Sequence, residues 1–372
     1  MPLFSYQSMS LGTIVAVLVI FEPGSLRADS IAKTSLGAVE ITSMAQGLDE
    51  PWGLAFLPDS RFMVTERAGR LQLFPAAGGA GQQIEGLPPV YAEGQGGLLD
   101  VMIPRDFDQS REVWLSFSEP QGGGAGTAMG RGTLDDTGQL TDFRTLFSAP
   151  EGGTGGRHFG SRLVEAVDGS IFLTIGERGT PDLAQDPTRA EGTVMHFSPD
   201  GIPIGPDDGA ALPGLHSLGH RNPQGAALDA NGQLWVVEHG AQGGDELNRV
   251  EEARNYGWPI IAYGKDYDDS KLGIGTSAPG LEQPVHYWDP SIAPSGLMFY
   301  SGTMFPEWQG DVFTGSLKFD YIARLDPEST YAEEAITARE TGRVRDIRQA
   351  PDGSIWFLSV TDGAVYRISR AN

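Results

Sequence analysis

One histidine in this sequence combines a proton-accepting side chain with open surroundings. His158 lies in the segment GRHFGSRL, and Gly155, Gly156 and Gly160 flank it. An imidazole can accept a proton near neutral pH, and glycines allow a substrate to approach the chain closely. The other histidines show no spacing typical of a metal site. His158 is therefore a candidate general base, and a purely structural histidine is the alternative.

Three cationic residues near the end of the chain could bind an anion together. The chain has only four lysines, and one of them, Lys318, precedes the pair Arg343 and Arg345. Side chains at positions i and i+2 of a strand point to the same side, so the two guanidinium groups can act as a pair. The alternative is that these charges are solvated at the edge of a sheet or form salt bridges with the many carboxylates.

A glycine-rich segment with adjacent acids could hold a cation. Residues 238–248 read EHGAQGGDELN and include the neighbouring acids Asp245 and Glu246. Calcium prefers oxygen ligands, and a glycine-rich loop can direct backbone carbonyls as well as carboxylates toward the ion. The segment lacks the DxDxDG spacing of an EF-hand. A pair of solvated or capping acids is the alternative in a chain this acidic.

Composition excludes several classes of partner and site. The 372-residue chain has 26 basic and 49 acidic residues, and its net charge of −23 argues against nucleic acid and anionic membrane surfaces as partners. It has no cysteine, which excludes disulfides, thiolate metal sites, Fe–S clusters and cysteine nucleophiles. The P-loop, GxSxG and HExxH motifs are also missing. The common serine-hydrolase and zincin sites are therefore not expected.

A recurrent hairpin pattern organises the chain after residue 40. In each copy an apolar strand, a turn of the Asp/Asn-Gly type and a second apolar strand follow one another. The six copies are Trp52–Glu66, Gly97–Ser118, Ser161–Gly176, Gln224–His239, Ser295–Gly315 and Arg345–Ser359. Repeats of about 40–50 residues are typical of propeller blades, and longer ones carry insertions. The sequence thus predicts an all-β fold, a six-bladed β-propeller; a β-sandwich or two unrelated β domains are the alternatives.

The insertions and the chain ends complete the predicted architecture. Gln121–Gly132 and Ala149–Gly156 are rich in glycine, and we expect flexible loops there. A propeller closes when its two ends meet in one blade. We therefore expect Ala38–Leu48 to pair with Ala364–Ser369 in the last blade.

The first 28 residues are typical of a secretory signal peptide. Leu11–Phe21 is apolar but too short to span a bilayer, which needs about 20 residues. Small residues follow, and Ala28 is the expected last residue before cleavage. No Lys or Arg precedes the apolar run, so Met9 is an alternative start, and a buried strand or a lipid-facing anchor is the alternative structure. We expect a signal peptide at 1–28 and one catalytic propeller at 29–372, periplasmic or secreted, without stable membrane insertion.

Nine segments of the chain are more specific in sequence than the hairpin pattern of a propeller requires. They are PWGLAFLPD (51–59), GQGGLLDV (94–101), GRHFGSRL (156–163), GHRNPQG (219–225), EHGAQGGDELN (238–248), NYGWP (255–259), PSIAPSG (290–296), SLK (316–318) and RVRD (343–346). In this order they resemble the soluble PQQ-dependent aldose sugar dehydrogenases of the glucose/sorbosone dehydrogenase family. The resemblance implies a six-bladed propeller, bound pyrroloquinoline quinone (PQQ) and Ca²⁺, and oxidation of an aldose at C1 to the lactone.

The resemblance also implies roles for particular residues. His158 matches the general base, which takes the C1 hydroxyl proton while hydride passes to the quinone. Arg221 and Asn222 match contacts to the quinone oxygens, where Arg221 stabilises charge as the cofactor is reduced. The other implied cofactor contacts are Gln95, Tyr267 and the carboxylate-binding set Lys318, Arg343 and Arg345. The implied Ca²⁺ ligands are the carbonyls of Gly240 and Ala241 beside PQQ, and Glu246 with the carbonyl of Tyr256 at a second site.

This sequence departs from the family at two positions. The family usually has proline where Ala241 stands, which leaves the carbonyl ligand in place but reduces loop rigidity. The family's glucose dehydrogenases have aspartate immediately before the base, whereas this chain has Arg157, as in the aldose sugar dehydrogenases. The second difference bears on substrate preference.

Two other functions remain alternatives for the same fold. A Ca²⁺-dependent lactonase or hydrolase would need a metal held by side chains from separate blades, and it would leave the Lys/Arg group unexplained. A propeller that only binds protein or glycan would need neither His158 nor the His-Arg-Asn segment at 220–222. For a dehydrogenase, the absence of a CxxCH haem motif implies an external electron acceptor, a cytochrome or a quinone.

Overall fold

The chain folds into a six-bladed β-propeller, as seen in a computed structural model that describes residues 1, 30–150, 153–205 and 209–371. The predicted fold class is confirmed, and each of the six predicted hairpins forms the first two strands of a blade. The predicted signal peptide lies outside the described residues, apart from Met1.

Strands are numbered in chain order, and the first three blades run from the axis outward. The first blade contains β3 (Pro51–Phe56), β4 (Phe62–Glu66), β5 (Arg70–Phe74) and β6 (Gln82–Ile84). The second contains β7 (Leu98–Met102), β8 (Glu112–Gln121), β9 (Gly124–Leu134) and β10 (Leu140–Ser148). The third contains β11 (Leu163–Glu165), β12 (Ile171–Ile175), β13 (Thr193–Phe197) and β14 (Leu215–Leu218), with β18 (Arg254–Asn255) added in parallel.

The last three blades follow the same plan. The fourth contains β15 (Pro223–Leu228), β16 (Leu234–Glu238), β17 (Asp245–Arg249) and β19 (His286–Trp288). The fifth contains β20 (Pro294–Phe299), β21 (Val312–Ser316), β22 (Ile322–Asp326) and β23 (Ala332–Ile336). The sixth contains β24 (Val344–Gln349), β25 (Ile355–Ser359) and β26 (Ala364–Arg370), and β2 (Gly37–Ala45) and β1 (Ser30–Thr34) complete it.

Burial of the second strand of a blade explains the continuous apolar runs in the sequence. Strands β4, β12, β16, β21 and β25 are buried along their whole length. A strand packed on both faces needs apolar residues at nearly every position, which gives continuous runs such as IFLTI and LWVVE. Six stacked blades therefore supply the core.

The two chain ends close the ring as predicted. Strand β2 pairs antiparallel with β26, with Val39 opposite Arg370 and Ala45 opposite Val365. Strand β1 then adds a fifth strand that the sequence did not predict, and its Ala32 is buried. The N-terminal segment therefore belongs to the last blade, which joins the beginning of the fold to its end.

The prediction of a flexible loop at Gln121–Gly132 is wrong. This stretch is mostly strand β9, which pairs with β8 from Glu112 opposite Thr133 to Gln121 opposite Gly124. Its glycines allow close packing: a Cβ on Gly130 would lie 2.4 Å from the carbonyl oxygen of Arg144 on β10. In the second stretch, Ala149–Gly156, the described residues contain no strand.

Helices are few and short. The described residues contain one α-helical turn, α1 (Phe107–Ser110), and three 3₁₀ segments at Pro181–Gln185, Pro306–Trp308 and Pro327–Ser329. None of the helices in the described part of the chain has the length and hydrophobicity needed to cross a membrane.

A buried ion cluster joins the inner strands of different blades. Arg162 donates to Asp100 at 3.1 Å and lies 3.2 Å from Asp346, and all three side chains are at most 1% exposed. Arg348 contacts the same two carboxylates at 3.3 and 3.1 Å. The Arg162 guanidinium also lies 4.1 Å from the ring of Trp52. The cluster thus ties together four blades at the propeller axis.

Candidate functional site

A cavity of about 490 Å³ lies at the propeller axis and receives residues from all six blades. In each blade the start of the first strand and the end of the antiparallel second strand lie at the same end. The candidate residues are located at these positions, which is why they converge. The predicted residues that line the cavity are Gln95, Asn222, Lys318, Arg343 and Arg345.

The cavity wall carries positive charge that the protein does not neutralise. Among the described residues, no carboxylate forms an ion pair with Lys318, Arg343 or Arg345, and Glu50, the acid in the cavity wall, pairs with Arg67. Burial, together with repulsion from Arg343 and other nearby arginines, lowers the pKa of Arg345 to about 9. A cavity of this kind favours an anionic ligand.

The geometry of the arginine pair differs from the prediction. Arg343 precedes β24, which begins at Val344, and its φ of 46° lies in the left-handed region. The two arginines are therefore not paired by strand alternation. They line the cavity together because Arg343 is held by the carbonyl of Leu317 at 3.0 Å and Arg345 by the side chain of Gln224 at 2.9 Å.

The candidate base is buried and oriented. The backbone N–H of His158 donates to the Gln95 side chain at 2.7 Å, and its Nδ1 contacts Glu177. The contact with Glu177 leaves Nε2 as the nitrogen available for proton transfer. Burial lowers the pKa of His158 below its usual value of 6.5, although Glu177 opposes this shift. His158 is therefore neutral, and able to accept a proton, at neutral pH.

Sequence reasoning missed Glu177. Its side chain is 1% exposed, and the residue lies two positions after the end of β12, in the blade whose first strand follows His158. Only one carboxylate oxygen has a partner among the described residues, because Oε2 is buried without a hydrogen bond. The sequence contained one signal for this residue: an acid that follows the second strand of the hairpin next to the candidate base.

Arg221 lines a second, smaller cavity and does not line the large one. Its backbone N–H donates to Glu238 at 2.7 Å, and its guanidinium donates to the carbonyls of His239, at 3.3 Å, and Gly240. Its Nε is buried without a partner, and Nη2 lies 3.4 Å from the hydroxyl of Tyr267. Tyr267 is 67% exposed and lines neither cavity, so the contact with Arg221 is what connects it to the site.

Asn222 and His239 extend the polar part of the large cavity. The Asn222 side-chain oxygen accepts from Gly160 N–H at 3.3 Å and from Gln224 at 3.1 Å. Sequence reasoning gave His239 no role, but it lines the cavity and its Nε2 lies 2.9 Å from the Pro294 carbonyl. Burial and nearby arginines lower the pKa of His239 to about 3, so it is a neutral hydrogen-bonding group.

The four predicted metal-binding residues line one small cavity of about 20 Å³. They are Gly240, Ala241, Glu246 and Tyr256. This volume is sufficient for one small ion or water molecule. Burial and the charge of Glu238 raise the pKa of Glu246 to about 8. The described residues include no group of three or more histidine and acidic side chains suited to a metal, so a cation here would depend on backbone carbonyls as well.

A sequence profile of the Glucose / Sorbosone dehydrogenase family matches residues 48–367. The chain belongs to this family. The aldose sugar dehydrogenase YliI of Escherichia coli K12 is 40% identical to it over 348 residues, which cover 90% of this chain and 94% of that protein. Quinoprotein glucose dehydrogenase B of Acinetobacter calcoaceticus is 26% identical, with coverage of 94% and 91%.

Solved structures of the family agree with the architecture. The soluble aldose sugar dehydrogenase of Escherichia coli, in its apo form, superimposes with a TM-score of 0.84 at 38% identity, covering 90% of this chain and all of that one. The PQQ-bound aldose sugar dehydrogenase of Streptomyces coelicolor superimposes with a TM-score of 0.74 at 25% identity, covering 89% and 98%. Membership of the family thus rests on sequence and fold together.

Proposed function

We propose that this protein oxidises aldose sugars at C1 to the lactone, with PQQ and Ca²⁺ as cofactors. The observation that carries the proposal is the cationic cavity beside a buried histidine in a chain of net charge −23. Family membership and the PQQ-bound relative support the choice of cofactor.

The large cavity fits a planar tricarboxylate. Lys318, Arg343 and Arg345 would hold the carboxylates of PQQ through charge-assisted hydrogen bonds. Trp52 and Phe159 line the same cavity and offer apolar surfaces for a flat ring system. When bound, PQQ supplies the quinone carbon that accepts hydride from the sugar.

His158 is the proposed base. Its neutral imidazole takes the proton of the C1 hydroxyl as C1 loses hydride, so the C1–H and O–H bonds break and a C1=O bond forms. The imidazolium that results is stabilised by Glu177, which also fixes the ring orientation. Because burial holds the pKa of His158 below its usual value, the resting imidazole is ready to accept a proton at neutral pH, and the imidazolium formed in one turnover releases its proton before the next.

Arg221, Asn222 and Gln95 are the proposed polar contacts to the cofactor. Arg221 has a buried Nε without a partner, so it retains a donor for an oxygen that gains negative charge. Asn222 and Gln95 line the cavity and accept hydrogen bonds from the backbone of the segment that contains His158, Asn222 from Gly160 and Gln95 from His158 itself. Tyr267, whose hydroxyl lies 3.4 Å from Arg221 Nη2, is proposed to cover the cofactor edge.

Calcium is proposed to bind at the small cavity. The carbonyls of Gly240 and Ala241 are the proposed ligands of the Ca²⁺ beside PQQ, and the Glu246 carboxylate and the Tyr256 carbonyl are the proposed ligands of a second Ca²⁺; all four residues line this cavity. The raised pKa of Glu246 supports this assignment, because a cation would relieve the repulsion from Glu238. A hydrolase would instead use metal ligands from separate blades, and no observation favours it.

The electrons must leave through a second protein or a quinone. The chain has no cysteine, and therefore no covalent haem or Fe–S cluster that could take electrons from the site. We propose an external acceptor, a cytochrome or a membrane quinone, reached in the periplasm or outside the cell after removal of the predicted signal peptide.

Reconstitution tests this proposal. Apo-protein should bind PQQ in an absorbance titration and then reduce an artificial acceptor with an aldose, only when PQQ and Ca²⁺ are both added. The Lys318→Ala variant should reach half-saturation at a higher PQQ concentration than the wild type. The control variant Lys33→Ala, whose residue lies at the exposed outer edge of the last blade, should titrate as the wild type does. Aldose oxidation that needs NAD⁺ or FAD but not PQQ would refute the proposal.

A further inference from the structure

Arg178 is a buried arginine beside residues 157–159, the segment that contains His158. The proposed mechanism gives this arginine no role. The residue is 4% exposed, and among the described residues no carboxylate lies within ion-pair distance. Its Nε has no hydrogen-bond partner, and burial lowers the pKa of the guanidinium to about 10. The charges of Glu191 and Glu177 favour the guanidinium only from beyond ion-pair distance, and a buried guanidinium without a direct ion pair is costly, so its position calls for an explanation.

The contacts of Arg178 fall on both sides of His158. One end of the guanidinium, Nη1, donates to the carbonyl of Arg157, and the Cζ atom lies 3.3 Å from the ring centre of Phe159. The other end, Nη2, donates at 3.1 Å to the carbonyl of Ala125 on β9. A single side chain thus ties the 157–159 segment to the neighbouring blade.

The segment needs such support because its conformation is unfavourable on its own. His158 has a φ of 53°, in the left-handed region that residues other than glycine rarely adopt. Such conformations cost about 1–3 kcal/mol each and persist only when surrounding contacts hold them. Arg178 supplies contacts on the backbone before His158 and on the ring after it.

Arginine suits this task better than lysine. Its planar guanidinium can donate to two carbonyls in different directions while its face packs on an aromatic ring. Glu177, the preceding residue, holds the imidazole by its Nδ1. Two consecutive residues therefore restrain the same histidine, one through the side chain and one through the backbone.

We infer that Arg178 is a positioning residue for His158, which holds segment 157–159 so that the imidazole keeps its orientation against Glu177. This inference rests on the proposed role of His158 as base. Arg178 does not touch the cavity lined by the cofactor-binding residues and acts only through the segment that it supports.

Histidine NMR on apo-protein tests the inference without any turnover. The six histidines of the isotope-labelled protein are resolved by their imidazole signals, and His158→Gln identifies the signal of His158. In Arg178→Met the loosened imidazole should become hydrated, and its pKa should move up toward the ordinary value of about 6.5. The control Arg131→Met removes another buried arginine, one that packs on Trp114 in the second blade, and should leave the titration of His158 unchanged.

Kinetics supply the second measurement. Arg178→Met should lower kcat by about 10–100-fold, because a misplaced base contributes less to the rate of proton transfer. KM for the aldose and the PQQ concentration at half-saturation should stay within about twofold of the wild type. Added guanidinium should restore part of kcat in Arg178→Ala but none in His158→Gln. If Arg178→Met does not fold, Arg178→Lys, which retains the charge, is compared in both measurements.

The outcomes separate this inference from the proposed function. An unchanged His158 titration in Arg178→Met, or a loss of kcat no greater than that of Arg131→Met, would overturn the positioning role while leaving aldose oxidation intact. If the pKa of His158 moves as expected in Arg178→Met but the wild-type protein oxidises no aldose with PQQ, the proposed function is refuted instead.

Discussion

Replacing Glu177 by glutamine removes one charge at the base and changes little else. In the folded protein the Glu177 side chain is 1% exposed and contacts Nδ1 of His158. The carboxylate stabilises the imidazolium that forms only as the sugar proton is transferred. The amide has nearly the same shape but no charge, so Glu177→Gln should affect the transition state more than the bound substrate.

The expected magnitude follows from the burial of this contact. A hydrogen bond to a charged group contributes about 1.5–3 kcal/mol, and each 1.4 kcal/mol corresponds to a factor of about ten in rate. We therefore expect kcat to fall by about 10–150-fold in Glu177→Gln. KM for the aldose and the PQQ titration should stay within about twofold of the wild type.

Steady-state rates with saturating PQQ and Ca²⁺ provide the assay, and Asp311→Asn provides the control. Asp311 is also a buried acid, paired with Arg324, but it immediately precedes β21 and does not line the cavity. Its substitution should lower stability without lowering kcat. An unchanged kcat in Glu177→Gln, or a loss confined to KM, would refute the assignment of Glu177 to the base.

Three further predictions concern the cofactor, pH and stability. Lys318→Ala and Arg343→Ala should each weaken PQQ binding by about 1.5–3 kcal/mol in an absorbance titration, and unchanged curves for both would place these cations outside the site. Burial lowers the pKa of His158 below 6.5, and the base works only when unprotonated, so kcat/KM should fall on acidification with a midpoint below pH 6.5; a midpoint above that value would contradict the burial argument. Arg162→Met leaves two aspartates buried without their main partner and should lower the free energy of unfolding in urea by about 3–5 kcal/mol, and a loss under 1 kcal/mol would show that Arg348 alone suffices.

The blades could be predicted from sequence because their signals are local. Alternating and continuous apolar residues around a turn define each hairpin, and both strands lie within about 20 residues of each other. Strand β9 escaped prediction because its glycines indicate a loop, whereas their function is close approach to β10. Strand β1 escaped because its partner is β2 rather than a strand of a repeated unit.

The site was predictable only where residue types were distinctive. The cations near the C terminus stand out because lysine is rare in this chain. Glu177 and Arg178 are ordinary charged residues in a turn, and their roles depend on contacts with His158 and its neighbours about 20 residues earlier. Such roles follow from packing between loops; the sequence offers only the position of an acid after the second strand of a hairpin, which does not identify the partner of that acid.

A single-turnover experiment tests the central claim most directly. Protein loaded with PQQ and Ca²⁺ is mixed with an aldose, and reduction of the bound cofactor is followed by absorbance in the wild type and in His158→Gln. At equal PQQ occupancy the variant should reduce the cofactor about 10²–10⁴-fold more slowly, and deuterium at C1 of the sugar should slow the wild-type reaction. Reduction in His158→Gln at a rate within a few-fold of the wild type would contradict the claim that His158 takes the proton.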